Sequence, residues 1–271
     1  VDVGGQWVGP GQERILALLK ELGIETYKQF NEGAHLLEIG GQLKQFKGSI
    51  PKIGPAALLD LQRCIWKVER TAAQMKANGG VAAISNAQYD NITLAGWLYK
   101  NTFSKSTYSL LKAAVHAVFA AEPEELSFLF FLQYVSSAGG LMPLIETENG
   151  AQDSRVAGGM GAVAEALADR AMQHGAKVVR NAPVTKVFVK QDQVRVLTSD
   201  NVYGCHRVIV AMSPRDADRI QWSPKLPTPR QRLMSDMPMG SVIKTVIFYT
   251  KPFWRTKGLS GEMVTDQAPL R

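Results

Sequence analysis

The chain has 271 residues, 45% of them hydrophobic, and a formal net charge of +7. That length and apolar share make it a globular protein with a real core, in one large domain or two. No apolar run reaches the ~18 residues of a membrane helix. The basic residues are scattered, with no Lys/Arg run interleaved with aromatics. The charge therefore reads as a solvated surface, not as a footprint for nucleic acid or anionic membrane. Cys64 and Cys205 lie far apart and form no metal-ligand spacing, so we expect reduced thiols, no metal site and a cytoplasmic protein. No secretory leader is visible, and Asn91-Ile92-Thr93 is a glycosylation sequon by pattern only.

The chain opens on Val1-Asp2-Val3, without a methionine, and closes on Pro269-Leu270-Arg271 with nothing finishing an element. It reads as a piece of something longer. A short strand is expected to run into Gly4-Gly5, with Trp7 behind it. Paired glycines let a backbone approach a ligand, because no Cβ stands in the way, or they simply turn the chain. Helical periodicity over Glu13–Leu22 stops at Gly23. Two alternating runs flank Gly40-Gly41 within His35–Phe46 and predict a two-residue hairpin. Ser49–Ile53 follows as a loop.

Pro55–Lys76 is predicted to be a long amphipathic helix with Leu58, Leu59, Leu61, Ile65 and Val68 on its apolar side. Ala77–Asp90 is rich in Gly, Ala and Asn and reads as a loop. Thr93 can cap a helix running to about Thr102. Over Tyr108–Ala120, Leu110, Ala113, Ala114, Ala117 and Val118 keep the spacing of one helix face. Core packing explains that face on spacing alone. A further helix is expected over Glu124–Ala138, ended by Gly139-Gly140, and Leu141–Gln152 follows.

Gly158-Gly159-Met160-Gly161 opens a predicted helix, Ala162–His174. Gly159-x-Gly161-x-x-Ala164 imitates a dinucleotide fingerprint, but no clear strand precedes it and no acid ends the next strand. Strands are predicted over Lys177–Arg180, Val184–Val189, Val194–Thr198 and Tyr203–Met212. The last is a continuous apolar run that suits a buried parallel strand. Ligands sit beyond the carboxyl ends of such strands, so Ala211, Met212 and Ser213 are candidate cofactor neighbours. A short helix, Arg230–Ser235, leads to Met239–Tyr249, which alternates and is β-branched and aromatic. There Lys244 shares a face with Val242, Val246 and Phe248. It is either an edge-strand lysine with its head in water or a lysine held in a pocket, where it can handle a proton or a water. Leu259–Val264 is the closing strand.

The opening segment VDVGGQWVGPGQERILALLKELGIETY resembles the region after the dinucleotide motif in flavin-containing amine oxidases. The likeness continues, in order, through EPEELSFLFFLQYVSSAGG, ENGAQDSRVAGGMG, NAPVTKV, VIVAMSP and PMGSVIKTVIFYTKPFW. Monoamine oxidases and putrescine-oxidase-like enzymes are the members it is most similar to. The resemblance implies an α+β (mixed α/β) fold of two discontinuous domains. Residues 1–27 and 157–233 would belong to an FAD-binding domain, and residues 28–156 and 234–271 to a substrate domain. The N-terminal FAD motif and the C-terminal part of the catalytic chain are missing.

The resemblance further implies that Lys244 holds a water beside N5 of the flavin. Gly4, Gly5, Trp7, Val184, Ala211, Met212 and Ser213 would border FAD. Leu110, Ala113, Ala114, Ala117, Val118, Leu144, Ile145, Gln152 and Val264 would line the substrate cavity. Ala113, Ala114 and Ala117 are smaller than their mitochondrial counterparts, which implies a roomier pocket. The 49–53 loop would sit at the cavity mouth. The expected partners are a small-molecule amine and O2, with no nucleic acid, and a homodimer stays open. The expected reaction, of the FAD-bound full-length parent and not of this fragment alone, is oxidation of a primary amine to an imine and aldehyde, with O2 reduced to H2O2. The alternatives are a polyamine or L-amino-acid oxidase of the same superfamily, or a truncated, non-catalytic interaction module.

Overall fold

Residues 2–48, 51 and 53–267 are described by a computed structural model. In chain order the elements begin with β1 (Trp7–Val8), α1 (Glu13–Leu22), β2 (Thr26–Lys28), β3 (Ala34–Ile39), β4 (Gln42–Phe46) and α2 (Pro55–Ala77). Then come α3 (Leu94–Asn101), α4 (Lys105–Phe119), α5 (Phe128–Ser137), α6 (Leu141–Ile145), β5 (Ser154–Val156) and α7 (Met160–Gln173). The remainder holds β6 (Lys186–Lys190), β7 (Gln193–Leu197), β8 (Val202–Cys205), α8 (Pro214–Ala217), β9 (Gln221–Ser223), α9 (Thr228–Asp236) and β10 (Leu259–Thr265). The fold is α+β, as expected.

Two compact units form, Val1–Leu167 with Val242–Arg271, and Ala168–Ser241. These limits differ from the 27/28, 156/157 and 233/234 divisions expected from sequence. The reason is local. β5 pairs antiparallel with both β1 and β2, which ties the amino-terminal strands into the first unit.

In that unit α1 ends at Gly23 in the left-handed region, as the sequence indicates. Gly40 and Gly41, at φ 59° and 74°, form the turn between β3 and β4. That conformation is open to glycine at little cost. β10 adds to the other edge of β3 in parallel. The helical layer packs on α2, whose Leu61, Ile65, Val68, Ala72 and Met75 recur every three or four residues and are buried. Leu58 and Leu59, expected on that face, lie in the first turn at 42% and 72% exposure, and Ala57 takes the buried position. Phe128 is fully buried and stacks on Trp97 with ring centroids 4.8 Å apart. α5 starts at Phe128, not Glu124. Ser127 takes the cap, and Glu122–Glu125 closes a turn in which the Glu125 N–H reaches the Glu122 carbonyl. The expected 77–90 loop carries short 3-10 turns at Gly80–Ala82 and Ile84–Tyr89.

Asp60 on α2 fixes where the next helices go. Its carboxylate has no exposed surface. It accepts the N–H groups of Phe103 and Ser104, each at 2.9 Å, and the Arg63 guanidinium at 3.0 Å. The connection between α3 and α4 is thereby pinned to α2. Burial alone would raise the Asp60 pKa, but the Ser104 N–H, the Arg63 guanidinium and the Phe103 N–H together hold it below the usual carboxylate range.

In the second unit, β8-β7-β6-β9 form a sheet in which β6 pairs antiparallel with β7 and parallel with β9. Val187, Val194 and Ile220 are its buried core. β9 has too few residues to leave a periodic signal in the sequence.

Four predicted strands are absent or shortened. Residues 2–6 are irregular, and the strand begins at Trp7. Lys177–Arg180, 207–212 and Met239–Tyr249 carry strand-like patterns but no ladder among the described residues. Alternation fixes which side chains share a face, whereas a strand also needs a hydrogen-bonded neighbour. Their apolar side chains stand open, with Ile209 at 90%, Ile243 at 95% and Phe248 at 78% exposure.

Two outcomes follow. Asp60→Asn keeps the size but loses the charge and sets an amide N–H against backbone N–H groups; it will cost about 3 kcal/mol at pH 7 by urea denaturation. The native pKa lies below the unfolded one, so this contribution is complete above about pH 4. It fades as pH falls through the native value, and the gap between wild type and variant will close there. The chain on its own will also bind the dye ANS, and a double Ile243→Lys, Ile247→Lys variant will bind less.

Candidate active site

A cavity of about 110 Å³ lies in the helical layer of the first unit. Its lining is almost wholly carbon. α4 supplies Leu110, Leu111, Ala114, Val115, Val118 and Phe119, facing Leu144 and Ile145 of α6 and the buried stripe of α2. Leu110, Ala114, Val118, Leu144 and Ile145 were all expected to line the substrate pocket, and the structure brings them together. Ala113, Ala117, Gln152 and Val264 do not reach this cavity. Each helical residue turns the side-chain direction by roughly 100°. The lining arc therefore sweeps from Leu110 through Ala114, Val118, Leu111 and Val115 to Phe119. Ala113 is buried behind that arc and Ala117 is exposed beside it. Val264 pairs with Leu37 in the β10–β3 ladder.

The cavity walls that the sequence pattern missed come from other helices, among them Trp97, Phe131 and Met142. Their apolar character reads as ordinary core, and nothing local separates a core side chain from one that borders a void. Pro51 also lines the cavity. Ser49, Ile50 and Lys52 of the same predicted mouth loop lie outside the described residues. Cys64 faces the cavity too. Burial first, and the Asp60 charge second, push its thiol pKa up, so it is an inert thiol and not a thiolate nucleophile.

Next to this cavity, and sharing Ile145 with it, is a polar pocket of about 200 Å³ bordered by Asn31, His35, Glu146, Glu148 and Glu262. His35 Nδ1 lies 3.0 Å from the Glu262 carboxylate and 3.1 Å from the Ser260 hydroxyl. The Asn31 Oδ1 atom is buried without a hydrogen-bond partner.

Lys244 does not sit in a strand. Its ammonium is exposed and donates to the carbonyl oxygens of Asp2 at 2.9 Å and Gly4 at 3.5 Å. The glycine pair and the late lysine thus meet, although 240 residues separate Gly4 from Lys244. A Cβ built on Gly4 or Gly5 would meet nothing within 4 Å. Both backbones are open on that side. Trp7 is partly exposed, donates from Nε1 to Gln29 at 3.4 Å, and lies under the Arg155 guanidinium at 5.7 Å.

Val184, Ala211, Met212 and Ser213 fall in the second unit. Val184 packs on the Val187 cluster. Ala211 and Met212 are exposed, and Ser213 caps α8 by accepting the Asp216 N–H at 3.2 Å. The Gly159-x-Gly161 segment does follow a strand, β5. That strand is antiparallel to both its neighbours, so the segment is not a dinucleotide turn. Among the described residues no cluster of His, Cys, Asp or Glu has metal-ligand geometry, and no helix is long and apolar enough to cross a membrane.

Gln152 precedes Asp153 in the chain. Asp153 is buried and accepts from Lys28 Nζ, from the Ser154 hydroxyl at 2.7 Å and from the Asn149 N–H at 3.0 Å. Burial would raise its pKa, yet these three donors keep it below the usual range.

These features coincide with a family match along the chain. Residues 1–270 match the model of flavin containing amine oxidoreductases. The chain belongs to that family, a flavin-dependent one whose full-length members carry FAD. It is 35% identical over 271 residues to the probable flavin-containing monoamine oxidase A of Dictyostelium discoideum, covering 99% of this chain and 59% of that protein. It is 36% identical over 275 residues to the flavin-containing amine oxidase B of Sus scrofa, covering 100% of this chain and 52% of that protein. In structure it is similar to a putrescine oxidase bound to putrescine, with a TM-score of 0.89, 28% identity and coverage of 97% of this chain and 58% of that one. The chain thus spans between about half and three fifths of the length of these relatives.

Asp153→Asn will release the 149–154 turn. It will cost about 1–3 kcal/mol in chemical denaturation and speed amide exchange at Asn149. The native pKa is depressed, so the loss will be largest above about pH 4 and shrink in acid.

Proposed function

We propose that the protein containing this chain oxidises a primary amine with FAD as electron acceptor. Net, R-CH2-NH2, O2 and water become R-CHO, NH3 and H2O2. The amine gives up two electrons and two protons, and water hydrolyses the resulting imine. FAD, when bound, supplies the electron-pair acceptor that passes the pair on to O2. On this reading 1–27 and 157–233 serve FAD binding, and 28–156 and 234–271 serve the substrate. The residues present fit the group. Gly4 and Gly5 offer bare backbone on an open side, and Trp7 follows two residues on.

The observation that carries the reading is the Lys244 ammonium seated on the Asp2 and Gly4 carbonyls. It fixes a positive charge and a spare N–H donor at the glycine pair, where a water can be held and negative charge on the reacting partner met. The carbon-lined cavity takes the body of the amine and keeps water out of it. Amines with an apolar aryl or alkyl body are therefore the favoured class. A diamine is the second reading. What favours it is the pocket beyond Ile145, where Glu146, Glu148 and Glu262 could meet a second ammonium.

The test is peroxide release by the FAD-loaded protein over a panel of benzylamine, butylamine, putrescine and an L-amino acid. Benzylamine will give the highest kcat/KM, and Ala114→Phe will raise its KM about tenfold or more by filling the cavity. Turnover of the L-amino acid alone would sink the amine reading, and preference for putrescine would select the diamine.

A further inference from the structure

The Asp2 carboxylate closes the amino end of α7. Its two oxygens accept the Met160 N–H at 2.9 and 3.1 Å, where the helix presents unpaired N–H groups and a partial positive charge. Gly159, at φ 85°, leaves room for it: a Cβ there would stand 2.8 Å from Asp2 Oδ1. The same residue's carbonyl receives the Lys244 ammonium. Val3, Gly4 and Gly5, which follow, are exposed. Asp2 is thus the tether by which the carbonyls under Lys244 hang from a rigid helix.

We propose that Asp2 is the positioning residue for Lys244: its side chain anchors to α7 so that its main chain can hold the ammonium in one place. The catalytic part of this inference rests on the role proposed above for Lys244. The tether itself is independent of it. A mobile Gly-Gly segment would leave the ammonium to sample solvent, and a charge serves a reaction only if it is fixed beforehand.

Acetylation by sulfo-NHS-acetate, read by peptide mass spectrometry, tests the tether in this chain without flavin. Asp2→Ala will speed acetylation of Lys244 roughly two- to tenfold, the worth of one lost hydrogen bond, while Lys251 and Lys257 keep their rates. Asp2→Asn, which still accepts from Met160, will stay near wild type. Gly159→Ala, which pushes the carboxylate off the helix, will act like Asp2→Ala and serves if that variant does not fold. Unchanged Lys244 labelling in Asp2→Ala and Gly159→Ala would overturn the tether.

In the FAD-loaded protein, Asp2→Ala will lower kcat/KM for O2 as Lys244→Met does, with the amine KM unchanged. It will add nothing on a Lys244→Met background, where a merely structural role would add its full effect. If Lys244→Met slows reoxidation and Asp2→Ala does not, the positioning role falls. If Lys244→Met itself changes nothing, the reading of Lys244 falls, while the labelling still reports the tether.

Discussion

A carboxylate with no water to turn to sets the helical half of this molecule. Asp60 is charged and wholly covered, so the chain must bring donors to it. It does so from the turn between α3 and α4, with two backbone N–H groups, and from Arg63 one turn along α2. That requirement fixes where α4 starts. With the start fixed, the rotation of α4 follows, and with it the arc of side chains that borders the carbon-lined cavity. Replacing apolar residues would alter the size of the void. The charge on α2 acts on where α4 begins.

The same device recurs where the chain must be held without regular structure. Asp153 gathers the 149–154 turn, and Asp2 closes α7 while its carbonyl receives Lys244. In each case a short anionic side chain satisfies backbone N–H groups that would otherwise lack partners. Charge is thus kept at the seams, and the cavity is left to carbon.

Much of this was legible in the sequence. α1, the Gly40-Gly41 hairpin, α2, the Thr93 cap and the β6–β7 pair follow from periodicity and turn chemistry, which are local. So does the apolar character of five residues that border the cavity, because α4 and α6 declare their apolar positions. Ala113 and Ala117 lie off the arc that borders the cavity, because spacing gives a face but not its centre. The failures at Lys177–Arg180, 207–212 and Met239–Tyr249 have a different cause. A strand pattern states a need for a neighbour, and only the fold can say whether one is met. The role of Asp2 left no local signal, since its partner Met160 is 158 residues away.

The parallel pairing of β10 with β3 joins Leu259 to Ala34 and Thr265 to Glu38 across nearly the whole chain. A growing polypeptide makes the β3–β4 hairpin early and must wait for some two hundred further residues before the second edge of β3 is covered. Contacts of such separation form late and carry the largest loop-closure cost. During synthesis that bare edge invites pairing with a stranger. The ribbon at Leu259–Thr265 is therefore a late arrival in the first unit, and a chain halted before Leu259 leaves a sticky, half-laced sheet.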